Sequence, residues 1–142
     1  MKASARNRFT GLVVSVREGS VNDEVELLTA SGLRVVATVT ATSRELLGLR
    51  VGSGAFALVK ASSIVLITQA EGVLFSARNQ FQGVVAKATR GAVNSEIVVK
   101  LLGGEQLVAV VTNDSADELG LTVGEPTLAL FKVSSVILGV EA

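Results

Sequence analysis

The chain is written twice. Ser4-Ala5-Arg6-Asn7 returns as Ser76-Ala77-Arg78-Asn79, and the register then holds without a gap at an offset of 72 residues. Gly19-Ser20-Val21-Asn22-Asp23-Glu24 returns as Gly91-Ala92-Val93-Asn94-Ser95-Glu96, and Lys60-Ala61-Ser62-Ser63 as Lys132-Val133-Ser134-Ser135. Of the 63 pairs from 4/76 to 66/138, 28 are identical. Two diverged copies act as a two-sequence alignment: positions that hold while their neighbours drift are candidates for a shared task. The repeat predicts two units, 1–68 and 76–142, joined by the linker 69–75, where length alone suggests one domain.

A unit that small buries only about 60% of its unfolded surface and is marginal alone. Yet the chain is 49% hydrophobic, with a mean hydropathy of +0.54. The surplus apolar surface predicts packing of the units on each other and on further chains. The longest apolar runs, such as Ile64-Val65-Leu66-Ile67, fall far short of the roughly 18–20 residues a spanning helix needs. No signal-like segment opens the sequence and cysteine is absent, which fits the cytoplasm.

Charge is balanced, with 13 basic and 13 acidic residues, which argues against a strongly basic nucleic-acid surface. Histidine is absent as well as cysteine, which removes the commonest base, nucleophile and transition-metal ligands. The reading is therefore of a non-enzyme, with no catalytic residue and no metal held directly by side chains.

Within one copy, Phe9, Gly11, Val13 and Val16 alternate with polar residues, predicting a strand with one buried face. Val21–Leu28 and Leu33–Thr40 read as two more strands, separated by turns at Glu18-Gly19-Ser20 and Ala30-Ser31-Gly32. The period then changes. Thr42–Gly48 reads as one short helix, capped by Thr42 or Ser43, with Glu45 in its first turn and Gly48 as a left-handed stop. Asn113 or Asp114 takes the cap region in the second copy, and Gly120 the stop. Ala55–Lys60 and Ser62–Thr68 close the unit as a strand or strand pair bent near Ala61-Ser62. The fold expected is all-β with one short helix per repeat: two tandem OB-like Greek-key β-barrels, docked through a short, partly apolar linker.

Polar identity between the copies carries the functional signal. Ser4, Arg6, Asn7, Asn22, Glu24, Thr40, Ser43, Lys60, Ser62 and Ser63 all recur at the offset. One arginine, one lysine and several hydroxyls supply two positive charges and many donors, a set suited to a small dianion. Thr40 and Ser43 also lie where a helix start favours negative charge. Each residue has a structural alternative. Ser43 and Ser115 fit helix caps, and Asn22 and Asn94 fit turn supports. Glu24 and Glu96 fit a solvated face or ion-pair partners of Arg6 and Arg78. Lys60 and Lys132 fit snorkelling side chains. Their joint recurrence, with lysine 54 residues after arginine in both copies, favours an anion site. Gly52-Ser53-Gly54 lacks the lysine and the setting of a phosphate loop.

These motifs resemble the molybdenum-pterin-binding (Mop) domain, also called TOBE: Ser-Ala-Arg-Asn, Gly-x-Val-Asn-x-Glu, Val-Thr-x-x-Ser, Leu-Gly-Leu-x-x-Gly and Lys-x-Ser-Ser, in order, twice. A tandem pair resembles the di-Mop molbindins. The resemblance implies OB-like barrels assembled as a homotrimer of six Mop units. It implies molybdate or tungstate bound at interfaces between units, for storage or homeostasis of cytoplasmic molybdenum. One class of site would take Ser4 and Arg6 from one unit and Thr40, Ser43, Lys60, Ala61 and Ser62 from a neighbour. The equivalents are Ser76, Arg78, Thr112, Ser115, Lys132, Val133 and Ser134, with Val133 replacing the smaller Ala61. A second class would use the Val21-Asn22 and Val93-Asn94 turns. The ligand expected is a small oxyanion, with no catalytic cofactor, no nucleic acid and no membrane. Two alternatives stand beside it: an OB-type oligonucleotide binder, and an anion-sensing regulatory module acting through a partner.

Overall fold

In the computed structural model, which describes Met1 to Ala142, apolar alternation becomes strands with one buried face. In the first copy, β1 (Asn7–Arg17), β2 (Asn22–Thr29) and β3 (Arg34–Thr40) form an antiparallel meander. Helix α1 (Ala41–Leu47), β4 (Gly54–Val59), a 3₁₀ turn (Ala61–Ser63) and the short β5 (Val65–Ile67) follow. The second copy repeats the order as β6 (Asn79–Arg90), β7 (Asn94–Leu101), β8 (Gln106–Thr112), α2 (Asn113–Leu119), β9 (Pro126–Phe131), the 3₁₀ turn Val133–Ser135 and β10 (Ile137–Gly139). The two five-stranded sheets curl as OB-like half-barrels. A bulge between Val13 and Ser15, repeated between Val85 and Lys87, bends the long first strand of each copy. That bend lets one strand pair on both sides while the sheet curls.

The closing strands are exchanged. The first sheet runs β10-β4-β1-β2-β3 and the second β5-β9-β6-β7-β8. The segment expected to close its own copy closes the other. Side-chain volume matches this pairing. Gly139 lies opposite Phe56, and a Cβ there would meet the Phe56 ring at 2.4 Å. In the other sheet Ile67 lies opposite Leu128. Pairing within each copy would set Phe56 against Ile67 and Leu128 against Gly139, one crowded and one hollow. A single core runs through both copies: Phe131 is fully buried and stacks on Phe9 at 6.3 Å.

Two buried asparagines lock the copies together. Asn79 Nδ2 donates to Val36 O, and its Oδ1 accepts from Val36 N, both at 2.8 Å. Asn7 repeats this on Val108 at 2.8 and 2.7 Å. Each side chain thus continues the edge of the opposite copy's third strand. This is a structural reason for a polar identity that the sequence alone left open.

The helix starts differ from expectation. Thr40, not Thr42 or Ser43, is the cap of α1, accepting from Ser43 N at 3.1 Å. Thr112 does the same for α2, ahead of Asn113 and Asp114. The first hydroxyl still in extended backbone takes the role. The helix therefore begins at Ala41, and Glu45 falls outside its first turn. Gly48 and Gly120 are left-handed stops at φ 65° and 66°, as the sequence predicts.

The turn before β2 is tied to the helix by different chemistry in each copy. In the first, the buried Asp23 carboxylate accepts from Gly19 N and pairs with Arg44 of α1. In the second, Ser95 donates to Asn113 Oδ1 at 2.6 Å, and Asn113 Nδ2 donates to Gly91 O at 3.0 Å. The Arg44 hydrogen bond holds the Asp23 carboxyl below its ordinary 3.8. A depressed folded-state value adds stability above the ordinary one, lost as pH falls through the depressed value. Asp23→Asn is therefore expected to lower the urea midpoint clearly at about pH 7 and by less at about pH 3, below the ordinary carboxyl value. Equal losses at both would contradict the assignment.

Candidate functional site

The register of β2 on β3 brings the two classes of candidate residue together. Asn22 lies directly opposite Thr40, and Glu24 opposite Thr38, so all four share one face of the sheet. Thr40 Oγ1 donates to Ser43 Oγ at 2.8 Å, which leaves a hydroxyl pair at the exposed end of β3. Val21 O accepts from Ala41 N at 3.2 Å, fixing the turn against the helix. The second copy repeats each feature: Asn94 opposite Thr112, Thr112 Oγ1 to Ser115 Oγ at 2.9 Å, and Val93 O accepting from Asn113 N.

The arginines cross between copies. Arg78, one residue before β6, donates from Nη1 to Glu24 Oε1 at 2.9 Å. Arg6 grips Glu96 with two hydrogen bonds, Nη1 to Oε2 at 2.8 Å and Nη2 to Oε1 at 3.1 Å. The Arg6 hydrogen bond holds the Glu96 carboxyl below its ordinary 4.5. Glu24 is two residues along β2 from Asn22, about 7 Å on the same face. Arg78 of the second copy is thereby anchored on the first copy's sheet near Asn22 and Thr40. Arg6 stands in the same relation to Asn94 and Thr112. The sequence alone left Glu24 and Glu96 undecided between a solvated face and an ion pair; they are ion-paired, each across the copies.

The lysine segments also cross. The turn Val133–Ser135 packs on β3, and Ala61–Ser63 on β8. Lys132, Val133 and Ser134 therefore belong beside the strand that ends at Thr40, and Lys60, Ala61 and Ser62 beside the one that ends at Thr112. The sequence reading placed Lys60 and Ser62 with Thr40 and Ser43. Strand exchange is the reason the single chain groups them otherwise. Ala61 is buried and Val133 half-buried, so the larger side chain sits less deeply.

Ser4, Arg6, Thr40, Lys60, Ser62, Ser76, Arg78, Thr112, Lys132 and Ser134 are all exposed, with Ser43 and Ser115 half-buried. Lys60 and Lys132 form no ion pair. A cleft of about 650 Å³ on the outer face of the first sheet is lined by Arg8, Leu12, Leu28 and Phe56 and contains none of the candidates. The candidates form donor-rich patches open to solvent. No helix is long and apolar enough to cross a membrane.

Fold and surface together define a tandem pair of OB-like domains whose recurring polar residues, Glu24 and Glu96 apart, are donors and cations. The TOBE domain pattern matches residues 3–66 and 76–138. The chain belongs to the TOBE-domain family, as a tandem Mop-type molbindin. It is similar to the molybdenum transport protein ModE of Herbaspirillum seropedicae, 44% identical over 99% of this chain and 52% of that protein. The molybdenum-pterin-binding protein MopA of Rhodobacter capsulatus is 43% identical over 97% of this chain and 52% of its own length. The chain thus spans about half the length of these curated relatives. A crystal structure of the cytoplasmic molybdate-binding protein ModG, with molybdate bound, superposes with a TM-score of 0.95 at 42% identity. The match covers 99% of this chain and 100% of that one.

Proposed function

We propose that this protein binds molybdate, and tungstate with it, as a cytoplasmic store or buffer of the anion. It is a binding protein and not an enzyme. The observation that carries the reading is the end-to-end match to molybdate-bound ModG. The donors proposed are Ser4, Arg6, Thr40, Ser43, Lys60 and Ser62 with their counterparts Ser76, Arg78, Thr112, Ser115, Lys132 and Ser134. Backbone N–H groups near Ala61, Val133 and the turns at Val21-Asn22 and Val93-Asn94 complete the set. Arginine and lysine supply charge, hydroxyls supply geometry, and a tetrahedral dianion accepts from both.

The sites close in a homotrimer. Apolar residues exposed in the single chain recur at the repeat offset: Leu12 with Val84, Val21 with Val93, Val51 with Val123, Val65 with Ile137. Apolar character on open surface in both copies fits burial against further chains. Native mass spectrometry with and without sodium molybdate tests this. The expected result is a trimer that gains a discrete number of oxyanions; a monomer that gains none contradicts it.

A second reading is favoured by the ModE relatives, one of which, from Escherichia coli, is a DNA-binding transcriptional dual regulator 34% identical to this chain. The same anion site would then report to a partner, and pull-down with and without molybdate separates the two roles. The oligonucleotide reading is weaker, since all five phenylalanines are buried or half-buried and none is presented as an open stacking platform.

A further inference from the structure

Glu24 and its counterpart Glu96 are the only carboxylates identical in the two copies; Glu45 is matched by Asp117. A recurring carboxylate is out of place in a surface suited to a dianion. Coulomb repulsion alone makes it a liability there. Stability does not account for it either, since an exposed ion pair contributes little to folding, and these pairs are 37–51% exposed on all but one side chain, Glu24 at 30%.

Geometry gives it a role. Each glutamate stands on the sheet face that carries the hydroxyl pair of its own copy, and each grips the arginine of the other copy. The neighbouring Asn79 and Asn7 fix the backbone of those arginines on the same sheets. The glutamate then fixes the guanidinium. A guanidinium has five N–H donors. Arg6 uses two on Glu96 and Arg78 one on Glu24, so each keeps several donors free at an exposed surface. A flexible arginine must be ordered when an anion binds, whereas one already held loses less freedom.

We propose that Glu96 and Glu24 are positioning residues: they hold Arg6 and Arg78 across the copies in the attitude that receives the oxyanion. The proposal rests on the molybdate reading above. It makes a prediction opposite in sign to simple electrostatics, because deleting a negative charge beside an anion site should then weaken binding.

The test is calorimetric titration with sodium molybdate at fixed salt, with melting temperatures of the ligand-free proteins as the fold control. Four proteins are compared: wild type, Glu24→Ala with Glu96→Ala, Glu24→Gln with Glu96→Gln, and Arg6→Ala with Arg78→Ala. The alanine pair is expected to bind roughly tenfold more weakly than wild type. The glutamine pair, which keeps an acceptor without the charge, should fall between them. Alanine variants that bind as tightly as wild type or tighter overturn the proposal, as do glutamine variants no better than alanine. Should the alanine pair melt early, glutamine decides alone: weaker binding than wild type supports positioning, equal or tighter binding overturns it. If the arginine pair binds molybdate as wild type does, the molybdate site itself is misassigned, a failure distinct from that of the glutamates.

Discussion

Asn79→Ala is expected to destabilise the protein more than any other single truncation of a polar side chain. Asn79 is fully buried and satisfies both backbone groups of the buried Val36 across the junction of the copies. Alanine leaves that N–H and C=O without partners. Each buried orphan costs about 1–3 kcal/mol, so the loss of two should be about 2–6 kcal/mol. Against a typical total of about 5–15 kcal/mol this is a large fraction, and the melting temperature should drop by roughly 10 °C. Asn7→Ala should cost less, because Val108 is only half-buried. Urea unfolding of both variants checks this, and an Asn79→Ala loss below about 1 kcal/mol would contradict it.

The second large effect concerns binding. Arg6→Ala with Arg78→Ala removes the guanidinium charge and its free donors from every copy of the proposed site. Hydrogen bonds to charged groups are the strong ones, and losing one reduces affinity roughly tenfold or more. Molybdate affinity should fall by at least that factor while circular dichroism stays that of the wild type. The fold is expected to survive because both arginine side chains are about half exposed. Unchanged affinity in a folded double variant would refute the assigned role.

Much of this was readable from residues alone. The gap-free repeat implied the tandem units, alternation gave the meander, and Gly48 and Gly120 marked the helix ends. The strand exchange was not readable by pattern, because β5 and β10 carry the same apolar alternation and fit either sheet. Its one signature, small Gly139 against large Phe56, has meaning only once the pairing is known. The cap shifted to Thr40 because hydroxyls crowd positions 40, 42 and 43, and backbone conformation, not residue type, selects among them. Recurrence named the polar residues but could not sort them. Asn7 and Asn79 hold the copies together, Glu24 and Glu96 hold arginines, and the hydroxyls and lysines stand open. That division follows from which copy each side chain reaches, a long-range property that spacing along the chain does not encode.

The central claim is that the open donor patches close around a tetrahedral dianion in the assembled protein. Calorimetric titration of the purified wild type with sodium molybdate, repeated with excess sulfate present, tests it most directly. Saturable binding that persists against sulfate, at a fixed number of anions per chain, is the predicted result. Heats no different from dilution, or binding abolished by equal sulfate, would contradict it.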